Sequence, residues 1–338
     1  MSFSVKVEPS GHTFPVEADE PVLDAALRHG LTLPYGCRNG ACGSCMGKVV
    51  EGKIAYPDGE LPPALTEEQA IAGMALFCQA RARGDLIIET REVAEGQDIP
   101  IKKLPTRIAE MSRLNHDVML LKLKLPASER LQFLAGQYVD FVLKDGRRRS
   151  FSLANAPHDD AFLVLHIRHV EGGRFTGEVF DKMQVKDILR IEGPFGGFYL
   201  REESDRPIIF MAGGTGFAPI KGMIEHAFAL GSERPMHLYW GARAARDLYM
   251  ASLPEQWLKA HANFRYTPVL SEPMDEDNWQ GRTGYVHEAI VQDYPELGGY
   301  DIYASGPPPM VYAGQAMFPA HGLDLDHYYS DAFEYNRD

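Results

Sequence analysis

The sequence predicts a multidomain chain of mixed α+β and α/β class: a small mixed unit, an antiparallel β-barrel, and an open parallel sheet flanked by helices. Three observations carry this. A length of 338 residues exceeds what one core usually holds. The apolar rhythm changes twice, from closely spaced alternating segments in the middle to strand-like runs separated by helix-length segments after about Arg201. An aperiodic stretch, "AEGQDIPIKKL", interrupts the chain between the first unit and the second. The division read from this is residues 1–93, a linker at 94–104, residues 105–201, and residues 202–338.

Composition narrows the function classes. With 45% hydrophobic and 24% charged residues, the chain matches a soluble globular protein. No apolar run reaches the roughly 18 residues of a membrane span, and the start "MSFSVKVEPSGHTF" lacks the form of a signal peptide. A cytoplasmic protein is expected. The net charge of −13 argues against a nucleic-acid partner, which needs a concentrated basic patch. It leaves plain solubility or an acidic docking face for a protein.

In the first unit, "FSVKVEP" and "HTFPVEA" alternate as paired strands around Ser10-Gly11. "PVLDAALRHG" has the punctuation of a short helix, Pro21 at its start and Gly30 at its end. "MGKVVEGKI" and "DLIIETREV" are further strands, and Thr66 to Gln69 fits a capping box. The middle unit supplies "DVMLLKLKL", "QYVDFVL", "RSFSLAN" and "FLVLHIRHV", with Lys144-Asp145-Gly146-Arg147 as a hairpin turn. The last unit reads "PIIFMAG", "MHLYWGA", "FRYTPVL" and "DIYAS" between helices, a βαβ pattern.

Three of the four cysteines crowd into "PYGCRNGACGSC": Cys37, Cys42 and Cys45, with Cys78 following after 32 residues. In a reducing compartment such clustering points to metal or redox work, not disulfides. The C-x4-C-x2-C…C spacing is the plant-type arrangement for a [2Fe–2S] cluster. Two irons bridged by two sulfides need four thiolates; a tight loop delivers three and a distant residue closes the far iron. Gly36, Gly40 and Gly43 let that loop turn and aim its N–H groups at the sulfurs. Zinc also accepts four thiolates, but zinc ribbons usually present two C-x2-C knuckles and this chain has one.

Arg149, Phe151 and Ser152 form R-x-[YF]-S, which resembles the flavin-binding motif of the ferredoxin–NAD(P) reductase superfamily. An aromatic ring can lie against an isoalloxazine, and an arginine can neutralise a pyrophosphate with a forked contact. The resemblance implies FAD as cofactor and places Ser152 near the flavin N5. Strict strand alternation would point Ser152 away from Arg149 and Phe151. An ordinary strand with a basic hairpin tip is the plainer reading of this motif alone. Downstream, Gly172, Gly173 and Thr176 mark a Gly-rich turn entering a helix, a natural anion site. In the superfamily this segment holds the flavin pyrophosphate, with His166 and Arg168 flanking the cofactor. His166 and His169 mimic an H-x-x-H metal pair, but three residues apart on a strand they face opposite ways.

"MAGGTGFAPI" is G-x-G-x-x-P, only half the dinucleotide fingerprint. Gly213, Gly214 and Gly216 permit close backbone approach and Pro219 suits a first helical turn. The segment looks like the superfamily's pyridine-nucleotide loop, with Thr215 near the nicotinamide. "YWGAR", ending in Arg243, closes the second strand at the sheet's carboxyl edge. Asp247 would repel a 2′-phosphate and accept from a ribose hydroxyl, which favours NADH over NADPH. "SGPPPM" resembles the superfamily's C-G-P-P-x-M, with Ser305 in place of the usual cysteine before Gly306 and Pro307. A hydroxyl is smaller and less polarizable than a thiol, which puts the efficiency of hydride transfer in question. Phe333 is available either to cover the flavin or to pack.

Together the motifs cover nearly the whole chain in the order ferredoxin, flavin barrel, nucleotide domain. The chain thus resembles the NADH-dependent reductase components of bacterial multicomponent oxygenases and the CDP-6-deoxy-Δ3,4-glucoseen reductases. The fold implied is a β-grasp ferredoxin domain, a six-stranded antiparallel flavin-binding β-barrel and a parallel-sheet nucleotide-binding domain. The implied chemistry is hydride transfer from NADH to FAD, then single-electron passage through the cluster to an acceptor protein, an oxygenase or hydroxylase or a sugar dehydratase. Ser152, Thr215 and Ser305 are the residues expected nearest the hydride. Two rivals stand: a zinc-binding scaffold without flavin, and a flavin reductase that releases reduced flavin. Protein made in iron-replete cells is expected to be red-brown, to contain acid-labile sulfide, and to lose its flavin bands under anaerobic NADH; a colourless zinc protein excludes the reductase reading.

Overall fold

A computed structural model describes residues 2–31, 33–35, 38, 40, 43, 45–90 and 99–333. The chain divides into two compact units, Met1–Pro100 with Phe195–Phe198, and Ile101–Pro194 with Tyr199–Asp338.

The first unit contains strands β1 (Ser2–Glu8), β2 (Thr13–Glu17), β3 (Met46–Glu51), β4 (Ile54–Ala55), β5 (Met74–Leu76), β6 (Arg81–Ala82) and β7 (Leu86–Glu89), with helices α1 (Val22–Arg28) and α2 (Glu67–Ile71). Five strands form one sheet in the order β2-β1-β7-β3-β5, and β4 pairs with β6 in a separate ribbon. The two terminal segments of the unit, β1 and β7, pair in parallel at the centre, whereas β1–β2 and β3–β7 are antiparallel. Alternation drives the burial: Val5 and Val7 of β1 and Phe14 and Val16 of β2 point inward, as do Val22, Leu23, Ala25 and Ala26 of α1. The box at α2 forms as read, with the Thr66 hydroxyl accepting from Gln69 N–H (3.2 Å) and the Gln69 side chain accepting from Thr66 N–H (3.0 Å).

The second unit begins with β8 (Lys102–Arg113), β9 (Val118–Lys124), β10 (Tyr138–Val142), β11 (Arg148–Ser152), β12 (Leu163–Arg168), α3 (Arg174–Asp181) and β13 (Ile188–Phe195). Its sheet runs β11-β10-β13-β8-β9-β12, and an antiparallel bridge from Leu153 to Leu165 joins the two outer strands into a barrel. Leu121, Val139, Phe141, Leu153, Leu165 and Ile191 fill it. Lys102, Lys103 and Leu104, assigned to the linker above, already pair with β13. Both β8 and β13 escaped individual recognition because each carries a proline, Pro105 or Pro194, that breaks a strand pattern.

The remaining elements are β14 (Ile208–Gly213), α4 (Phe217–Ala229), β15 (Met236–Ala242), α5 (Ser252–Ala260), β16 (Phe264–Leu270), β17 (Arg282–Thr283), α6 (Val286–Asp293), β18 (Asp301–Gly306), α7 (Pro308–Met317) and β19 (Tyr328–Ala332). They build a parallel sheet in the order β17-β16-β15-β14-β18-β19. Every residue of β14 and β18 is buried, as expected for central parallel strands covered on both faces. At the amino edge the buried Asp301 carboxylate accepts from Arg234 (2.7 Å), Ser204 (2.6 Å) and His327 (2.8 Å), which offsets its desolvation.

Two imidazoles are buried in this unit. His237 on β15 lies between the Tyr294 hydroxyl and the Thr267 hydroxyl, each 2.9 Å away, and burial lowers its pKa to about 4. His166 on β12 is lowered to about 3, by burial first and Lys221 second. Both folded pKa values lie below the ordinary 6.5, so the unfolded chain binds protons that the folded one refuses. Stability is therefore full above pH 6.5 and falls with acidification toward pH 4. Between pH 7 and pH 5 each imidazole should cost about 2 kcal/mol. Denaturant midpoints at the two pH values check this, and His237→Gln should flatten the slope.

Candidate functional site

The sheet's central strand, β14, has β15 on one side and β18 on the other; the connection after β14 runs to β15 and the one after β18 runs to β19, so the chain diverges in opposite directions from the carboxyl ends of these two neighbours. That is the position where open α/β sheets form a ligand crevice. Gly214, Thr215 and Gly216 make one 3₁₀ turn between β14 and α4, with Pro219 buried in the first turn of the helix. A Cβ on Gly216 would lie 1.9 Å from the Ser305 carbonyl oxygen. A Cβ on Gly306, at φ +138°, would lie 2.6 Å from the Gly213 carbonyl oxygen. The two loops thus touch backbone to backbone. Pro307 lies on Gly213, within 2.7 Å of where its Cβ would be. The indole N–H of Trp240 donates to the Gly214 carbonyl (3.0 Å), and its ring stacks on Phe217 (4.0 Å, 15°), which fixes the turn from below.

The flavin-motif residues lie on β11, beside this crevice. Phe151 meets Phe141 (5.7 Å) and Phe175 (5.6 Å), so β11 is tied to α3, and the Gly172–Gly173 turn precedes that helix. Thr176 pins the turn by accepting from Val170 N–H (3.1 Å). A Cβ on Gly172 would meet nothing within 4 Å, which leaves open space above the turn. Arg149 is half-buried on the same strand. Ser152 is buried and its hydroxyl donates to Asp331 (3.4 Å) on β19, across 179 residues of sequence. Asp331 stands opposite Ser305 in the strand register, and Phe333 N–H donates to the Gly306 carbonyl (2.8 Å). Ser152, Asp331, Ser305 and Phe333 therefore gather at the crevice, with Thr215 buried in the adjoining turn.

On β12, Arg168 donates to Asp117 (2.8 Å), and a Cβ on Gly214 would lie 3.3 Å from its guanidinium. Arg168 therefore reaches from the barrel to the nucleotide turn. His166 contacts the Tyr249 hydroxyl through Nδ1 (3.1 Å), while its Nε2 is buried without a partner. His169 packs on Phe180 (5.1 Å), so it and His166 form no metal pair. The barrel and the parallel sheet meet along α4: Lys221 donates to the Ala154 carbonyl (3.1 Å), and a Cβ on Gly222 would lie 2.9 Å from the Asn155 carbonyl oxygen.

Arg243 is exposed after β15. Asp247 accepts from Ala244 N–H (3.1 Å) and lies 3.6 Å from His116, so its carboxylate shapes the turn beside the crevice. Asp331, Trp240 and Tyr249 were missed in the sequence. Each reads there as an ordinary strand or loop residue, and only contacts over 26 to 179 positions reveal its place.

In the first unit, Gly36, Cys37 and Cys42 lie outside the described residues. Cys45 and Cys78 are both buried, and neither is in a disulfide. Burial raises the Tyr56 phenol, and both thiols raise it further, which puts the two cysteines in one neighbourhood. Gln79 donates to the carbonyls of Arg38 (2.9 Å) and Cys78 (3.1 Å) and so straps the loop to the end of β5. Gly40 and Gly43, at φ +82° and +73°, carry the loop through turns that a side chain would strain. Buried thiols on a glycine-bent loop suit a soft metal cluster. An open glycine turn suits a flavin nucleotide, as do the partnerless buried Ser305 Oγ and His166 Nε2.

Such an arrangement defines a pyridine-nucleotide-linked flavoprotein that carries an iron–sulfur domain. Three family profiles match the chain: the 2Fe-2S iron-sulfur cluster binding domain over residues 5–83, the oxidoreductase FAD-binding domain over 105–199, and the oxidoreductase NAD-binding domain over 210–315. The CDP-6-deoxy-L-threo-D-glycero-4-hexulose-3-dehydrase reductase of Yersinia pestis is 38% identical, covering 98% of this chain and 99% of its own. The phenol hydroxylase P5 protein of Acinetobacter pittii is 39% identical over 92% of this chain and 88% of its own. A cytochrome P450 reductase from Amycolatopsis has the same architecture, with TM-score 0.81, 33% identity and 98% of each chain covered. The chain belongs to the iron–sulfur flavoprotein reductases, oxidoreductases that unite [2Fe–2S], FAD and NAD domains. Gly216→Ala should push the nucleotide turn off the Ser305 backbone and slow flavin reduction by NADH about 10²-fold. Stopped-flow absorbance checks this, with bound FAD retained as the control.

Proposed function

We propose that this chain is the NADH-oxidising reductase component of an oxygenase system, delivering single electrons through its ferredoxin unit to the oxygenase. The observation that carries the reading is the meeting of Ser152, from the flavin strand, with Asp331, beside Ser305 of the nucleotide sheet. When bound, FAD takes two electrons as hydride from NADH, and the cluster takes them onward one at a time. Around the cofactors, the residues bind and orient. Arg149 and the Gly172–Gly173 turn hold the flavin's pyrophosphate, and Phe151 keeps strand and turn in one geometry. The 214–216 turn seats the nucleotide, and Thr215 and Ser305 border the nicotinamide. Ser152 turns its hydroxyl oxygen, whose proton Asp331 holds, toward the flavin's reacting edge as an acceptor. His166 stays neutral, so it adds no positive charge beside the flavin. Asp247 disfavours a 2′-phosphate, which supports NADH over NADPH. Cys37, Cys42, Cys45 and Cys78 ligate the cluster, and a reducing cytoplasm suits such thiols.

A sugar dehydrase is the second acceptor reading, favoured by the end-to-end match to the Yersinia reductase. Among the described residues no helix is long and apolar enough to cross a membrane. The test uses Cys78→Ser. Reduction of ferricyanide by NADH should persist, while electron delivery to the cognate acceptor should drop at least about 10²-fold. Unchanged delivery rules out the cluster route. Parallel turnover with an oxygenase component and with a sugar dehydrase component separates the two acceptors.

A further inference from the structure

The turn between β8 and β9 carries a carboxylate to which the reductase reading gives no part. Asp117 accepts from Arg168 Nε at 2.8 Å, and both side chains are half-buried. The far end of the same guanidinium lies at the nucleotide turn, with Nη1 3.3 Å from where a Cβ of Gly214 would stand. From this geometry we propose that Asp117 is a positioning residue for NADH. By gripping Arg168 at Nε, it keeps the forked end of the guanidinium turned toward the phosphates of the dinucleotide. The inference rests on the reading that the 214–216 turn seats NADH.

Asp117 is itself held in place. Its N–H and that of Val118 donate to the Asn115 side-chain oxygen (3.1 and 2.8 Å), and its carbonyl accepts from His169 N–H (2.7 Å). The Asn115 amide donates in turn to the Arg246 carbonyl (3.0 Å), which ties this barrel turn to the loop after β15. Asp247 of that loop and Asp117 both face His116, 3.6 and 3.8 Å from its Nε2. The anchor for Arg168 is therefore fixed to the barrel and to the nucleotide sheet together.

The atom that is gripped also matters. A guanidinium binds an oxyanion through parallel N–H bonds, and one held at Nε presents its Nη end. The pair borders the crevice: burial raises the Tyr249 phenol, Asp117 raises it further and Arg168 lowers it. An arginine left unheld has to be immobilised when the dinucleotide arrives, which weakens binding roughly threefold to tenfold. Charge acts the other way, because a carboxylate beside the guanidinium opposes an incoming phosphate. Placement and charge thus predict opposite signs, and two substitutions separate them.

Anaerobic stopped-flow reduction of the flavin gives an apparent Kd for NADH and a limiting rate, and calorimetry of oxidised holoenzyme with NAD⁺ gives affinity without turnover. Asp117→Ala should raise both Kd values roughly threefold to tenfold, with the limiting rate and flavin content unchanged. Asp117→Asn keeps an acceptor for Nε and loses the charge, so it should bind at least as tightly as the wild type. Arg168→Ala should weaken binding at least about tenfold, and adding Asp117→Ala to it should cause no further loss. The proposal is overturned if Asp117→Ala binds as well as the wild type, or if Asp117→Asn is as weak as Asp117→Ala. Equal losses with and without Arg168 also overturn it, since Asp117 would then only support its own turn. Unchanged affinity in Arg168→Ala removes NADH from this turn and the proposal with it, whereas a loss in Arg168→Ala alone overturns only the role of Asp117.

Discussion

The crevice of this protein exists because two backbone turns are allowed to touch. The nucleotide turn approaches the end of β18 so closely that a single methyl group at Gly216 would overlap the Ser305 carbonyl, and the reverse contact at Gly306 has the same tolerance. This proximity sets the height of the turn above the sheet and thereby the start of α4. It also decides where the flavin strand can rest, because α4 carries Lys221 and Gly222 against Ala154 and Asn155. A shift at the first contact would be passed along a helix that is rigid over its 13 residues to the second. Trp240 supports the arrangement from inside the sheet, with one hydrogen bond to Gly214 and one stacked ring.

Polar groups around the crevice are arranged with similar economy. Ser152 and Asp331 satisfy each other across the seam, and Arg168 is balanced by Asp117, so charge near the nucleotide turn is already compensated. His166 and Ser305 are the exceptions: one nitrogen of His166 is on Tyr249 and the other, like the Ser305 hydroxyl, has no protein partner. A buried imidazole with a free nitrogen is costly unless something polar completes it.

How much of this was legible in the sequence depended on whether the cause was local. Cysteine spacing, the glycine turns at 172–173 and 213–216 and the box at Thr66 were readable because short-range geometry dictates them. The three architectures followed from apolar rhythm, and their sheets have the anticipated strand directions. Strands β8 and β13 did not announce themselves, since Pro105 and Gly193-Pro194 interrupt the alternation that the barrel nonetheless accommodates. Alternation also warned that Ser152 would face away from Phe151. It does, and the direction it takes is toward Asp331, a partner invisible until the chain is folded. Asp247 was read as a ribose contact from its charge alone; what the structure shows is that its carboxylate caps its own turn.

The strand order has a bearing on how the molecule is made. Ile208 of β14 pairs with Asp301 of β18, a separation of 301 − 208 = 93 residues. During synthesis β14 can therefore join β15 long before its other edge finds a neighbour. For that interval a fully apolar strand edge stands open on the ribosome-bound chain, the kind of surface that recruits chaperones or pairs wrongly. The ferredoxin unit, whose own sheet is complete within the first ninety residues, is by then already available to receive its metal.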